Sequence, residues 1–153
     1  MKVRVATTRD TNKIIELAQA SILEIASNNY TPEQTKVWAN RLERPNRISN
    51  AVAEQHFIVA ELEHEIIGFG SILNGDYIDF LYVHPLHVKN GVATTIFKPL
   101  IAHAHKHKTK TITSDVSKTA RPFFEKKGFK VLREQENKMG NEILVNYKME
   151  LKL

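Results

Sequence analysis

Cysteine is absent from this chain, and its absence removes disulfides, thiolate metal sites and any mechanism that stores an acyl group on a cysteine sulfur. Long apolar runs are missing too. No stretch reaches the roughly 18 residues that a membrane-crossing helix needs, and the opening MKVRVATTRD has neither an apolar signal core nor a small-residue cleavage site. A soluble, cytoplasmic protein with no membrane partner is the expectation. Repeats, low-complexity tracts and linker-like stretches are also lacking. With 153 residues, 42% of them hydrophobic, the chain is long enough for one core and short for two, so a single domain over residues 1–153 is expected.

Positive charge is in modest excess: 22 Lys and Arg face 17 Asp and Glu, a net +5. The basic residues are scattered, and no aromatic-plus-basic motif of the kind that stacks bases is present, so no nucleic-acid partner is expected. The densest cluster, HAHKHKTK from His103 to Lys110, reads as a solvated helix C-terminus, where cations suit the dipole. His103 and His107 share a helical face at metal-ligand spacing, yet neither a carboxylate nor a cysteine nearby completes a set. No metal is expected.

Periodicity divides the chain into short elements. Lys2 to Ala6 alternates as a strand, and apolar residues from Ile14 to Ala26 recur at helical spacing behind a cap at Thr8 or Asp10. Thr31-Pro32-Glu33-Gln34 combines a capping box with proline at the first helical position and starts a second helix carrying Val37 and Trp38. A short helical piece follows from Pro45 to about Gln55. From His56 the period changes to two: two strands turn at Glu63-His64, and Asn74-Gly75 turns into a third, Tyr77 to Val83. A helix from about Asn90 to Lys106 contains Pro99, which is expected to kink or break it. A strand from Thr109 to Ser114, a short helix capped by Ser117 and stopped by Gly128, and two strands, Phe129 to Glu136 and Glu142 to Leu151, complete the order. The fold class is mixed α/β, a predominantly antiparallel sheet flanked by helices.

The most informative stretch is IDFLYVHPLHVKNGVATTIFKPLI, from Ile78 to Ile101. It reads as a strand, a loop around Gly91 and a helix. A glycine-containing loop that opens a helix aims free backbone N–H groups and the positive end of the helix dipole at one point, which suits phosphate. The loop Val88-Lys89-Asn90-Gly91-Val92-Ala93 resembles motif A of the GNAT superfamily of acyl-CoA N-acetyltransferases, Gln/Arg-x-x-Gly-x-Gly/Ala. Farther on, Ala120 to Phe129 resembles the family's Ala-x-x-x-Tyr-x-x-x-Gly-Phe segment. The two stand in the family's order, and the element order is also that of the GNAT fold.

The resemblance implies an acyltransferase that carries acetyl from acetyl-CoA to a primary amine by direct attack in a ternary complex. It implies coenzyme A contacts from Val88, Lys89, Asn90, Gly91, Val92 and Ala93, with a hydroxyl from Thr94. Leu81 and Val83 would hold the pantetheine arm through the strand backbone, with the N–H near Leu81 polarising the thioester carbonyl. Ser117 stands where many members place a pantetheine-contacting asparagine. Two positions depart from the pattern. Val88 replaces Gln or Arg, which matters little where backbone amides do the binding. Phe124, expected beside the cofactor, replaces a tyrosine that protonates the leaving thiolate, and a phenyl ring cannot donate a proton. Tyr30, Tyr77, Tyr147 and water are the candidate substitutes.

Asp79 is the only charge in its strand, and a carboxylate there must either be paired or reach a wet cavity. Two readings stand: a general base for the acceptor ammonium, or the partner of a buried cation. Period-two alternation puts Tyr77, Asp79, Leu81 and Val83 on one face and Ile78, Phe80 and Tyr82 on the other. Tyr30, Trp38 and Tyr77 are the candidates for lining an acceptor pocket, with plain core as the alternative for the first two. The acceptor itself, a small molecule or a peptide, is not specified by the sequence, and a homodimer is left open. The alternative function is a coenzyme A-binding module without catalysis.

Overall fold

Two hairpin turns and two capping boxes set most of the element boundaries. Glu63-His64 has φ values of 52 and 69, and Asn74-Gly75 has 55 and 74, so each turn carries two central residues in the left-handed region, which matches the twist of the flanking strands. At the second helix, Thr31 Oγ1 accepts from the Gln34 N–H at 3.1 Å and Gln34 Oε1 accepts from the Thr31 N–H at 2.9 Å. Gln34 then donates through Nε2 to the Ile143 carbonyl at 3.0 Å, which ties this helix to the last strand.

The structure, a computed structural model, describes residues 1–153. The elements are β1 (Lys2–Val5), α1 (Thr11–Glu24), α2 (Pro32–Arg41), α3 (Arg47–Glu54), β2 (His56–Leu62), β3 (Glu65–Leu73), β4 (Tyr77–Val83), α4 (Val92–Lys106), β5 (Thr111–Ser117), α5 (Arg121–Lys126), β6 (Lys130–Met139) and β7 (Glu142–Lys152). They form one seven-stranded sheet in the order β1-β2-β3-β4-β5-β7-β6, antiparallel except for the β4–β5 pair. The mixed, mostly antiparallel α/β class is as the sequence predicts. No helix is long and apolar enough to cross a membrane.

Each face of the sheet has its own core. On one face α1 and α3 cover Phe57, Phe69 and Phe80, three rings whose centroids lie 5.5 to 6.2 Å apart. On the other, α4 delivers Val92, Ile96 and Leu100 against Ile58, Ile72, Ile78 and Ile112. Close contact there depends on Gly68 and Gly70 of β3, since a Cβ at Gly70 would stand 2.7 Å from Ile96 Cγ2.

Several boundaries differ from the sequence reading. The piece after Pro45 is a full helix, α3, and it starts at Arg47 behind a left-handed Asn46 with φ 62. Pro99 does not break α4, which runs unbroken to Lys106. β5 extends to Ser117, so that residue ends a strand, although its Oγ still accepts from the Ala120 N–H at 3.0 Å. The face assignment along β4 holds from Phe80 to Val83 and fails before it. Ser71 pairs with Phe80 while Ile72 pairs with Ile78, so Asp79 is an extra residue in a β-bulge. The bulge flips the alternation: Ile78 packs on the α4 side together with Leu81 and Val83, whereas Phe80 and Tyr82 pack on the α1 and α3 side.

Candidate active site

The same bulge opens the sheet. β4 and β5 pair only at Tyr77 with Thr113 and Ile78 with Ser114, and Ser114 Oγ closes this end by donating to the Ile78 carbonyl at 2.8 Å. From Asp79 onward the strands part, which leaves the β4 backbone without a partner on that side. A cavity of about 580 Å³ lies at one mouth of the gap and another of about 230 Å³ at the other. A void of about 80 Å³ inside the wedge shares lining residues with both. Trp38, Tyr82 and Ser117 border all three spaces.

The larger cavity runs from the wedge to the start of α4. Leu81 and Val83 form its β4 wall, Ser117 and Phe124 the opposite one. Val88, Lys89 and Gly91 from the loop and Val92, Ala93 and Thr94 from the first turn of α4 close its far end. Asn90 is exposed and lies outside this wall. Gly91 takes φ 78, a value that glycine adopts freely, and a Cβ built on it meets no atom within 4 Å. No side chain caps this helix; its ladder starts with the Thr95 N–H on the Gly91 carbonyl at 3.0 Å. The amides of its first turn therefore have no partner within the helix. His87, Lys126 and Lys127 join the same wall. The sequence reading singles out none of these three: His87 lies just before the loop, and Lys126 and Lys127 come from the end of α5, far along the chain.

The smaller cavity holds two carboxylates. Asp79, at the bulge, accepts from Gln55 Nε2 at 2.7 Å and makes no ion pair, which removes the reading of a buried cation partner. Asp115, missed in the sequence because it lies on a different strand, accepts from the Tyr77 hydroxyl at 2.6 Å and from Gln135 Nε2 at 2.9 Å, with Lys148 Nζ at 3.6 Å. Burial alone would push the Asp115 carboxyl up, but these hydrogen bonds and the Lys148 charge outweigh it and hold the group below the usual carboxylate range. Tyr77 borders this cavity, and its phenol is pushed well above its ordinary value by burial and by donating to Asp115.

The tyrosines separate by what their hydroxyls do. Tyr30 donates to the Val145 carbonyl at 2.5 Å, accepts from the Lys118 N–H at 2.9 Å and packs edge-on against Trp38, so it braces the wall. Tyr147 borders none of the three spaces and lies under the Arg121 guanidinium, 4.5 Å from its ring centroid. Tyr82 does border the junction. Burial pushes its phenol well up, a hydrogen bond from the Trp38 side chain and the nearby Arg47 charge work against that, and Asp79 and Tyr30 add to it. Phe124, buried, lines the wedge opposite. Away from these cavities, His56 and His103 stack with centroids 4.1 Å apart, and no group of three His, Cys, Asp or Glu side chains stands where it could hold a metal ion.

Comparison with known proteins points to one family. A family profile described as an acetyltransferase (GNAT) domain matches residues 26–151. The sequence is 34% identical over 127 residues to an uncharacterised N-acetyltransferase, YafP, of Escherichia coli K12, covering 83% of this chain and 79% of that protein. A crystal structure of a GCN5-related N-acetyltransferase from Rhodopseudomonas palustris, also described as a class-II aminotransferase, superposes with a TM-score of 0.95 at 28% identity, over 99% of this chain and 95% of that one. The PaiA N-acetyltransferase of Thermoplasma acidophilum, solved with coenzyme A, shares the fold with a TM-score of 0.79 at 20% identity, over 99% and 98%.

Proposed function

This chain belongs to the GNAT family of acetyltransferases, and from that premise we propose that it carries an acetyl group from acetyl-CoA to a primary amine by direct attack in a ternary complex. One observation supports this most: two cavities reach one gap in the sheet from opposite sides, one ending in bare helix amides and lysines, the other holding an unpaired carboxylate. Two substrates that must react need such a meeting point, because proximity and orientation supply much of the rate.

The larger cavity suits coenzyme A. The amides of Val92, Ala93 and Thr94, the open space at Gly91 and the Lys89, Lys126 and Lys127 charges fit a diphosphate. The unpaired β4 backbone at Leu81 and Val83 fits the amides of pantetheine, with Val88, Ser117 and Phe124 along the arm. The bound cofactor supplies an activated thioester, and the chain places it in the wedge. There the Leu81 N–H polarises the carbonyl.

In the smaller cavity Asp79 takes a proton from the acceptor ammonium, directly or through water, so that the nitrogen lone pair can attack. Asp115, held by Tyr77 and Gln135 and paired with Lys148, is too heavily engaged to serve as the base and instead fixes Tyr77 in the wall. Trp38 and Tyr30 shape the pocket. As the C–S bond breaks, the second proton of the nitrogen passes to the sulfur, and the Tyr82 hydroxyl donates a hydrogen bond to the departing thiolate. Its position at the junction makes up for the hydroxyl that Phe124 lacks.

Thiol release from acetyl-CoA, followed with a broad panel of amines alongside calorimetry of coenzyme A binding, tests this reading. Amine-dependent thiol release is the expected result. Tight coenzyme A binding with no release for any amine would leave a binding module in place of an enzyme.

A further inference from the structure

The smaller cavity is lined by three arginines, and they face it without carboxylate partners. Arg41 ends α2, Arg44 lies in the loop behind it and Arg47 begins α3. None takes part in an ion pair. Arg41 Nη2 reaches only the Lys138 carbonyl at 3.4 Å, and the Arg47 guanidinium lies over the Phe80 ring, 4.9 Å from its centroid. Arg47 is also close enough to Tyr82 for its charge to oppose the upward shift of that phenol.

The opposing charge is much smaller. Of the two carboxylates in this wall, Asp115 is already matched by Lys148 at 3.6 Å, which leaves Asp79 alone against three guanidinium groups. The cavity is thus polarised: one free carboxylate at the wedge, where a nucleophilic nitrogen must sit, and unmatched cations at the α2–α3 end. Guanidinium is weakly hydrated and presents a planar fork that binds carboxylate or phosphate in two-point fashion. A polyamine would bring positive charge to the wrong end of this pocket, and a neutral amine would leave the arginines unused. At about 230 Å³ the space matches a small molecule.

Resting on the acetyltransferase reading above, we propose that the acceptor is a small primary amine bearing an anionic group, its ammonium toward Asp79 and its carboxylate or phosphate on Arg41, Arg44 and Arg47. The charge pattern selects the acceptor by complementarity at both ends. Binding of the anionic end also turns the nitrogen toward the thioester, so the arginines contribute orientation as well as affinity.

Matched amines test this with the intact enzyme and acetyl-CoA. Initial rates of thiol release are compared for 3-aminopropanoate and its neutral amide, for aminoethyl phosphate and ethanolamine, and for spermidine, each corrected for the fraction of free amine. The expected result is a kcat/KM at least about tenfold higher for one anionic member than for its neutral partner, with the gap shrinking as salt rises. Whichever anionic arm leads identifies carboxylate or phosphate as the natural group. In Arg44→Gln and Arg47→Gln, both at exposed positions where folding is not at stake, the anionic-to-neutral ratio should fall toward one, through KM. Neutral amines or spermidine used as well as the anionic ones, or a ratio unmoved by both substitutions, overturns the inference while the acetyltransferase reading stands. No turnover of any amine by an enzyme that binds coenzyme A overturns both.

Discussion

Gln55, just beyond the end of α3, donates its side-chain amide to Asp79 across 2.7 Å, and that is the only hydrogen bond the Asp79 side chain makes. The bond fixes the carboxylate at the bulge without neutralising it. In Asp79→Asn the Asn carbonyl oxygen can still accept from Gln55, so shape and fold are kept while proton acceptance is lost. The expected outcome is a kcat lower by about 10² to 10⁴-fold, with coenzyme A affinity nearly unchanged. Kinetics and thermal melting on the same variant check it, and a melting loss large enough to explain the missing activity would count against the base.

Tyr82 and Phe124 line opposite sides of one small void. Tyr82→Phe removes the hydroxyl at the junction and should lower kcat by about tenfold, at the low end of what a positioned donor contributes. Adding Phe124→Tyr to that variant restores a phenol beside the same space and should recover part of the loss. If Tyr82→Phe leaves kcat untouched, the leaving thiolate is served by water.

Gly91 stands at φ 78 with open space where its Cβ would be. Gly91→Glu therefore meets no clash, pays on the order of 1 kcal/mol for the backbone, and puts a negative charge where the cofactor's diphosphate is expected. The protein should stay folded and lose coenzyme A binding, as calorimetry and circular dichroism together would show.

Acid should loosen the first strand. Arg4 makes a two-point contact with Asp10 at 2.8 and 2.9 Å and also pairs with Glu61, and the Arg4 hydrogen bond holds the Asp10 carboxyl below its usual range. A depressed folded-state value means that this stabilisation is complete above the ordinary carboxylate value near about 4, and is lost as pH falls through the lower folded value. Melting curves should thus show wild type ahead of Asp10→Asn at neutral pH, with the difference closing below about pH 4.

Packing beneath α4 leaves no room at β3. Gly70→Ala places a methyl against Ile96, Leu100 and the Phe80 carbonyl, and overpacking of this kind typically costs about 1–3 kcal/mol. Denaturant titration should show that loss.

Much of this architecture is legible in local chemistry. The Thr31–Gln34 box, the Glu63-His64 and Asn74-Gly75 turns and the Gly91 loop each declare themselves within four residues, because caps and tight turns need particular side chains or φ values. The Asp79 bulge does not. An extra residue in a ladder is defined by its neighbour's register, here Ser71 and Ile72, and leaves no mark on the strand that carries it. Asp115, the three arginines and Lys126 escape for a related reason: each reaches the site from an element distant in sequence from the loop that betrays it. The extra residue at Asp79 shifts Ile78 to the face of Leu81 and Val83, whereas Phe80 and Tyr82 keep the face that the alternation gives them.

The two-rung pairing of β4 with β5 has one more effect. Bare main chain in a sheet is usually found at its rim, where it recruits strands from other molecules and seeds aggregation. Here the open stretch from Asp79 to Val83 lies in the middle of a seven-stranded sheet, with β5 and β7 still beyond it and helices above and below. A polypeptide strand would have to fit its side chains between the walls of the parted strands, whereas a slender unbranched chain with two amide groups can slide in end-on. The fold thus keeps adhesive backbone available while admitting only guests of small cross-section.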